Sequence, residues 1–363
     1  MRLLYVSGSY MPASGGAELS MYTILRYLAG LGHHIVVVTR ALDGDVDYDD
    51  QGDSGITVTR IAAVEALEAA LAQIKGQHLK IEAIITQNLW CDLAILWGRR
   101  HNIPVIYFLR SPSGSLDVSV GGQYECRYVL GNSATTVAYL AEHWGRHDAR
   151  LVPPMVDAGW YRVHSNSREF ITMVNPIVTK GGGIFRQIAE RMPERRFLAV
   201  EGWGHLKKEG RWDTERFQDL ARGYGEEAHL PEEVVLSDLP NVVKHPTVAD
   251  MRAIYSRTRL LLIPSIVPEA APRVALEAMI NGIPVIGSGA GGTAEVVGGG
   301  GEIIEDYCNV VSWLAAIRRF DDPAYYEMRA QRAREQAAGQ DNPSKMEPLL
   351  EILAEIEAAG REA

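Results

Sequence analysis

Arg259 to Val297 reads RLLLIPSIVPEAAPRVALEAMINGIPVIGSGAGGTAEVV, and the fold turns on how this stretch is parsed. Leu260 to Ile263 is continuously apolar and stops at Pro264, the pattern of a strand buried on both faces of a parallel sheet. Pro272 suits the first turn of a helix, where its missing N–H costs nothing, and Gly282 suits the cap after that helix ends. IPVIGS, residues 283–288, is a second buried strand, and the Gly-rich turn Gly289 to Thr293 follows it. Ligands of open α/β sheets bind outside the carboxyl ends of such strands, so Ser265 to Ala271 is expected to line a cleft. Glu269 falls in that loop and Glu277 a turn or more into the helix. A carboxylate near a helix start also has a plain explanation in the helix dipole.

The same grammar runs outward in both directions. RLLYVS, HHIVVVT, GITVTRI, EAIIT, IPVIYFL and RYVLGN read as strands in the first half, separated by helical patterns at AELSMYTILRYLAGLG, VEALEAALAQI, WCDLAILWGRR and TTVAYLAEHWG. EFITMV, RFLAVEG, NVVKH, RLLLIP, IPVIGS and GEIIE repeat the pattern in the second, with helices near GIFRQIAERM, TERFQDLARGY, VADMRAIYSR and APRVALEAMING. Alternating strands and helices predict two parallel sheets covered on both faces, that is, an α/β chain of two Rossmann-like, doubly wound domains. Pro153, Pro154 and the polar HSNS stretch interrupt both periodicities, which places the boundary near Ser165: 1–164 as the N-terminal domain and 165–335 as the C-terminal one. Residues 336–363 read as a helical tail whose stripe of Leu349, Ile352, Leu353 and Ile356 packs back on the protein, since its glutamates disfavour a lipid surface.

Length and composition agree. A chain of 363 residues is longer than one compact core usually grows, and 47% hydrophobic with 23% charged residues supplies ample material for two. No apolar run reaches the roughly 18 residues of a membrane span, and RLLYVSG turns polar too quickly for a signal peptide, so a cytoplasmic protein with at most peripheral membrane contact is expected. Cys91, Cys126 and Cys308 are scattered and odd in number, suggesting neither a disulfide framework nor a zinc site. A net charge of -10 argues against a nucleic-acid partner.

Each half also follows its first strand with a small-residue loop. The first is GSYMPASGGAE, with Gly15 and Gly16 just before a helix; the second is NPIVTKGGG, with Lys180 just before Gly181. Glycines let backbone amides approach a ligand, and a helix start favours an anion, so both loops suit phosphate; either alone is equally well a tight strand-to-helix turn. Trp90 and Trp97 could stack an acceptor sugar from one helix, although such a pair is more often core.

The residues around the two acids carry a resemblance. PSIVPEAAPRVALEAMINGIPVIGSGAGGTAEVV is similar to the donor-binding segment of retaining GT-B glycosyltransferases of family four (group 1), whose hallmark is Glu, seven residues, then Glu. LLYVSGSYMPASGGAELSMYTILRYLAGLGHHIVVVT, GNSATTVAYL, VPPMVD, VNPIVTKGG and NVVKHPTVADMRAIYSRTRLLLIPS resemble further parts of that family, so the likeness spans nearly the whole chain. It implies a GT-B fold, two Rossmann-like domains facing a central cleft, the first on the acceptor side and the second on the donor side. It implies a hexosyl transfer from a UDP- or GDP-sugar to an unidentified acceptor, as in polysaccharide biosynthesis, with retained anomeric configuration, no cofactor and no metal.

Carried over by residue, the resemblance implies that Glu277 holds the ribose and Glu269 contacts the sugar, beside Ala270 and the amides of Ala271, Pro272's neighbour Arg273, and Val274. Lys180 and the Gly16 amide, next to Gly15, would hold the diphosphate, and backbone near Lys244 would meet the base. Three positions depart from the family pattern. Asn175 stands where an arginine is common, Ala271-Pro272 replaces Phe-Gly, and Arg110 stands where many members place a histidine beside the reacting sugar. Arg110 could supply positive charge there or bind an acidic acceptor, or be a surface arginine; with Glu269 and Lys180 it completes the expected catalytic set. A catalytically degenerate nucleotide-sugar sensor or scaffold, or a GT-B epimerase, are the alternatives.

Overall fold

The structure is a computed structural model that describes residues 1–12, 15–41, 55–76, 80–112, 126–203, 207–208, 211–212, 232–339 and 343–362. The helix expected at TERFQDLARGY lies outside the described residues.

The chain divides into two units, one holding residues 1–153 and 343–363, the other 154–213 and 229–342. The break thus falls at Pro153-Pro154, ahead of the expected Ser165, and the last helix belongs to the N-terminal unit.

The N-terminal unit is built on seven parallel strands: β1 (Arg2–Val6), β2 (His34–Arg40), β3 (Ile56–Ile61), β4 (Ala83–Gln87), β5 (Val105–Leu109), β6 (Tyr128–Gly131) and β7 (Arg150–Leu151). Their order is β3-β2-β1-β4-β5-β6-β7, so the winding reverses between β1 and β4. Strand registers such as Leu4 opposite Val36 and Ile84 place β-branched and aliphatic residues on both faces, where the helices Gly16–Gly30, Leu67–Gly76, Cys91–Arg100 and Ala134–Trp144 cover them. Ser133 and Thr136 cap the last of these reciprocally, each side chain bonding the other's backbone N–H. Trp90 precedes the Cys91–Arg100 helix in a left-handed conformation, and both Trp90 and Trp97 are buried in the core of this unit. Neither ring is presented to an acceptor. The Glu347–Glu362 helix buries Leu349, Ile352, Leu353 and Ile356, and Arg150 of β7 pairs with its Glu351 and Glu355 at 3.4 and 2.5 Å.

The C-terminal unit has six parallel strands, β8 (Phe170–Val174), β9 (Phe197–Val200), β12 (Val242–His245), β13 (Thr258–Ile263), β14 (Val285–Ser288) and β15 (Gly301–Ile304), plus a short antiparallel pair, β10 (Lys207–Lys208) with β11 (Arg211–Trp212). The order β12-β9-β8-β13-β14-β15 reverses between β8 and β13. Helix Gly182–Arg191 presents Ile184, Phe185, Ile188 and Ala189 to the sheet, and Phe185 meets Phe197 of β9 edge-on with centroids 5.6 Å apart. Burying each of Ile184, Phe185 and Ile188 contributes about 1.5–3 kcal/mol. On the other face, Leu276, Ala278 and Met279 of helix Arg273–Met279 pack with Leu261, Ile263 and Val285. Two Rossmann-like units of this kind constitute the GT-B architecture.

Candidate functional site

In a doubly wound sheet, the strands on either side of the reversal splay the loops at their carboxyl ends apart and leave room for a ligand. In the C-terminal unit those strands are β8 and β13. The loop after β8 carries Asn175 and Lys180, and the loop after β13 carries Ser265 and Glu269. The sheet order therefore brings together residues that the sequence keeps far apart.

Backbone bonds fix both loops. Asn175 adopts a left-handed conformation (φ 59°), its N–H bonded to Val200 O at 2.7 Å, which turns the chain sharply off β8. Gly181 (φ 83°) opens the following helix so close to the end of β13 that a Cβ there would run into the carbonyl oxygen of Pro264. Ile266 N–H then bonds Thr179 O at 3.1 Å, locking loop to loop. On its other side the Glu269 backbone pairs with the Gly-rich turn: Glu269 N–H to Ala290 O at 3.2 Å and Gly292 N–H to Glu269 O at 2.7 Å. Gly291 (φ 72°) is required there, because any Cβ would meet Glu269 O.

On this frame Lys180 Nζ reaches Glu269 Oε1 at 2.7 Å, and the Ser265 hydroxyl donates to the same oxygen. The side chains are 30% and 13% exposed, so the pair is set in the wall of the site yet open to solvent. A charge-assisted bond between two such groups is strong but exchangeable.

Glu277 lies deeper. It is 3% exposed, and both oxygens are engaged: Tyr255 OH donates to Oε2 at 2.7 Å and Arg273 Nε to Oε1 at 3.0 Å. Arg273, itself 4% exposed, also donates to Met155 O at 2.6 Å and to Tyr161 OH at 3.3 Å. Burial beside Glu277 pushes the Tyr161 phenol up to about 12 and the Tyr255 phenol well above its usual range, so both remain neutral hydroxyls. The sequence assigned Arg273 through its backbone; its side chain instead turns inward, one helical turn from Glu277. Ala270 is buried, Ala271 and Val274 are half-buried, and Pro272 caps the helix just ahead of Arg273. Lys244, on β12, is 44% exposed and lies 3.7 Å from Glu201.

In the N-terminal unit the equivalent strand ends carry a second polar cluster. Arg110, directly after β5, is 7% exposed, not a surface arginine. Its Nε donates to Gln87 Oε1 at 2.6 Å, its Nη1 to Ser20 Oγ at 3.4 Å, and its guanidinium lies 4.4 Å from the centre of the Phe108 ring. Gln87 Nε2 in turn donates to Ala17 O at 3.2 Å, tying β4 to the first turn of the Gly16–Gly30 helix. Gly15 is buried as the N-cap of that helix, and a Cβ on it would collide with the Glu18 carboxylate. Burial raises the Glu18 pKa, against the pull of its own backbone N–H, Ser9 and Arg110.

Tyr255, Tyr161, Gln87 and Glu18 are absent from the sequence-based set. Ser265, two residues past β13, was expected in the cleft wall but with no role of its own. Among the described residues, no group of three His, Cys, Asp or Glu is disposed to hold a metal ion, and no helix is long and apolar enough to cross a membrane.

Two parallel Rossmann-like units with polar strand ends define the class of fold, GT-B. Residues 14–160 match the family model Glycosyltransferase Family 4 and residues 200–320 the model Glycosyl transferases group 1, so the chain carries both domains of the group 1, family-four glycosyltransferases. No curated protein matches the sequence. Solved structures do match the fold. A sucrose-phosphate synthase from Thermosynechococcus elongatus aligns over 99% of this chain and 100% of its own with a TM-score of 0.75 at 19% identity. Anabaena HepE in complex with UDP-glucose gives 0.76 at 19% identity, over 98% of this chain and 100% of its own. WaaG, a glycosyltransferase involved in lipopolysaccharide biosynthesis, gives 0.66 at 16% identity, over 96% and 99%.

Proposed function

We propose that the chain transfers a hexosyl group from a nucleoside diphosphate sugar to an acceptor hydroxyl with retained anomeric configuration and without a metal ion. The observation that carries this reading is the Lys180–Glu269 pair, seated at the reversal of the C-terminal sheet, 2.7 Å apart and solvent-accessible. An incoming diphosphate competes for the Lys180 ammonium; once that bond is exchanged, Glu269 is released towards the sugar and Ser265 keeps it oriented. Cleavage of the C1–O bond leaves its electron pair on the diphosphate, where Lys180 meets the new charge. The developing positive charge on the sugar ring faces the Glu269 carboxylate. The acceptor oxygen then bonds to C1 on the face the phosphate left, and its proton passes to the departing phosphate oxygen. No side chain is assigned as a nucleophile.

Glu277 is assigned to the ribose: Arg273 and Tyr255 occupy two of the roughly four lone-pair directions of a carboxylate, and hydroxyls donate to the others. The backbone N–H groups of Ala271, Arg273 and Val274 are assigned beside Glu269, towards the sugar and its phosphate, and backbone at Lys244 to the base. Arg110 and its partners at the strand ends of the N-terminal unit are assigned to the acceptor. Uracil is the base proposed first, because Anabaena HepE was solved with UDP-glucose; guanine is its competitor.

The test is incubation of the protein with UDP-glucose and then a panel of UDP- and GDP-hexoses, with and without candidate acceptors, after EDTA treatment. Slow release of nucleoside diphosphate with one donor, and a product whose anomeric proton coupling matches that donor, is expected. Binding without release for every donor would make the chain a sensor, and an inverted product or loss of activity on chelation would overturn the mechanism.

A further inference from the structure

Three side chains from three elements close around the Glu277 carboxylate in the C-terminal unit. Arg273 and Glu277 stand one turn apart on helix Arg273–Met279, Tyr255 comes from the short helix Arg252–Tyr255, and Tyr161 from the segment after Met155. Arg273 and Glu277 are 4% and 3% exposed, and Arg273 is anchored away from Glu277 by Met155 O and the Tyr161 hydroxyl, over whose ring it lies at 5.6 Å. The guanidinium thus has one face on an aromatic ring, one nitrogen on a backbone carbonyl and one on the carboxylate. Such an arrangement restrains both side chains of the pair.

We infer that Arg273 is a positioning residue: its guanidinium holds the Glu277 carboxylate in one orientation, and so makes the site select ribonucleotides over their deoxyribonucleotide counterparts. The inference rests on the reading that Glu277 meets the ribose. The groups facing Glu277 are Arg273, Tyr161 and Tyr255, and the two phenols are held neutral by burial, so Arg273 supplies the positive charge among them. Without it the carboxylate keeps only the Tyr255 hydroxyl, on Oε2, and loses the bond that fixes Oε1, so its free lone pairs no longer meet the ribose hydroxyls in one register.

The experiment measures uridine diphosphate and 2′-deoxyuridine diphosphate binding by calorimetry; if the wild type prefers guanine, the guanosine pair replaces them. Wild type is expected to prefer the ribonucleotide. Arg273→Met is expected to bind it on the order of tenfold more weakly, with little change for the deoxy form. Glu277→Gln is expected to lose the preference, and Arg273→Met added to Glu277→Gln to change nothing further. An additive loss would mean that Arg273 touches the ligand itself, and an unchanged preference in Arg273→Met would mean that it does not position Glu277; either overturns the inference. If Arg273→Met fails to fold, the Glu277→Gln background and Arg273→Lys, which keeps the charge and should keep the preference, decide the matter. A Glu277→Gln variant that binds both nucleotides like wild type would instead remove the ribose reading beneath the inference.

Discussion

Lys180 and Glu269, 89 residues apart in the chain, share a 2.7 Å ion pair that exists because β8 and β13 are neighbours across the reversal of the sheet. Neither partner is fully buried. A pair this accessible contributes little to stability, on the order of 0–1 kcal/mol, so its chemistry is better read in what it can exchange with.

Lys180→Ala should therefore leave melting nearly unchanged and weaken a nucleoside diphosphate far more than the nucleoside. Loss of a hydrogen bond to a charged group corresponds to about 1.5–3 kcal/mol, or roughly tenfold to a hundredfold in affinity. Calorimetry with UDP and uridine measures the difference, and equal losses would remove Lys180 from the phosphates.

Gly181→Ala tests the frame beneath the pair. A side chain at φ 83° costs about 1–3 kcal/mol, and here it also meets the Pro264 carbonyl, so the loop must move. The melting temperature should fall and diphosphate binding should weaken together. A variant with wild-type melting and binding would show that the close approach to β13 does not set the loop.

Much of this was legible in advance. The continuous apolar run Leu260–Ile263 and its stop at Pro264 gave a buried parallel strand because both faces of the sheet are covered, and the two-acid spacing pointed to the family domains. What a linear reading lacks is the direction of a side chain. Nothing in the sequence says that Arg273 turns inward to Glu277, since an arginine beside a helix start reads as solvated. Tyr255, 22 residues before Glu277, becomes its partner only through the sheet order. Trp90 and Trp97 looked like one helical face, but the chain enters that helix after a left-handed Trp90, and packing takes both rings. Arg110 was read at the end of a strand, where exposure is usual; Gln87 and Ser20, from other elements, draw it in.

Asp148 provides a pH test away from the site. Arg146 grips it through Nε and Nη2 at 2.8 and 2.9 Å, and this hydrogen bonding holds the Asp148 carboxyl below its usual range. A depressed carboxylate adds stability above the unfolded value, near 3.9, and that stability is lost as pH falls through the folded value. Because Asp148 is 63% exposed, the contribution is at most about 1 kcal/mol. Asp148→Asn should melt slightly lower than wild type at neutral pH and converge with it in acid. A difference that grows on acidification would contradict the sign.

Glu269→Gln is the sharpest test of the proposed chemistry, because it separates holding the nucleotide from moving the sugar. The amide keeps the size of the side chain and can still accept from Ser265, while the negative charge facing the sugar is gone. Lys180 is then left without its carboxylate partner and is free for phosphate, so nucleoside diphosphate affinity should stay level or rise slightly. Turnover should fall about tenfold to a hundredfold, since the charge acts in the transition state and not on the bound nucleotide. Melting equal to wild type is the precondition, and the exposure of the pair predicts it. Titration with UDP alongside initial rates at saturating donor measures both quantities on one preparation. A variant that loses nucleotide affinity and keeps its rate would place Glu269 on the nucleotide side, and one that keeps both would reduce the acid to a surface partner of Lys180.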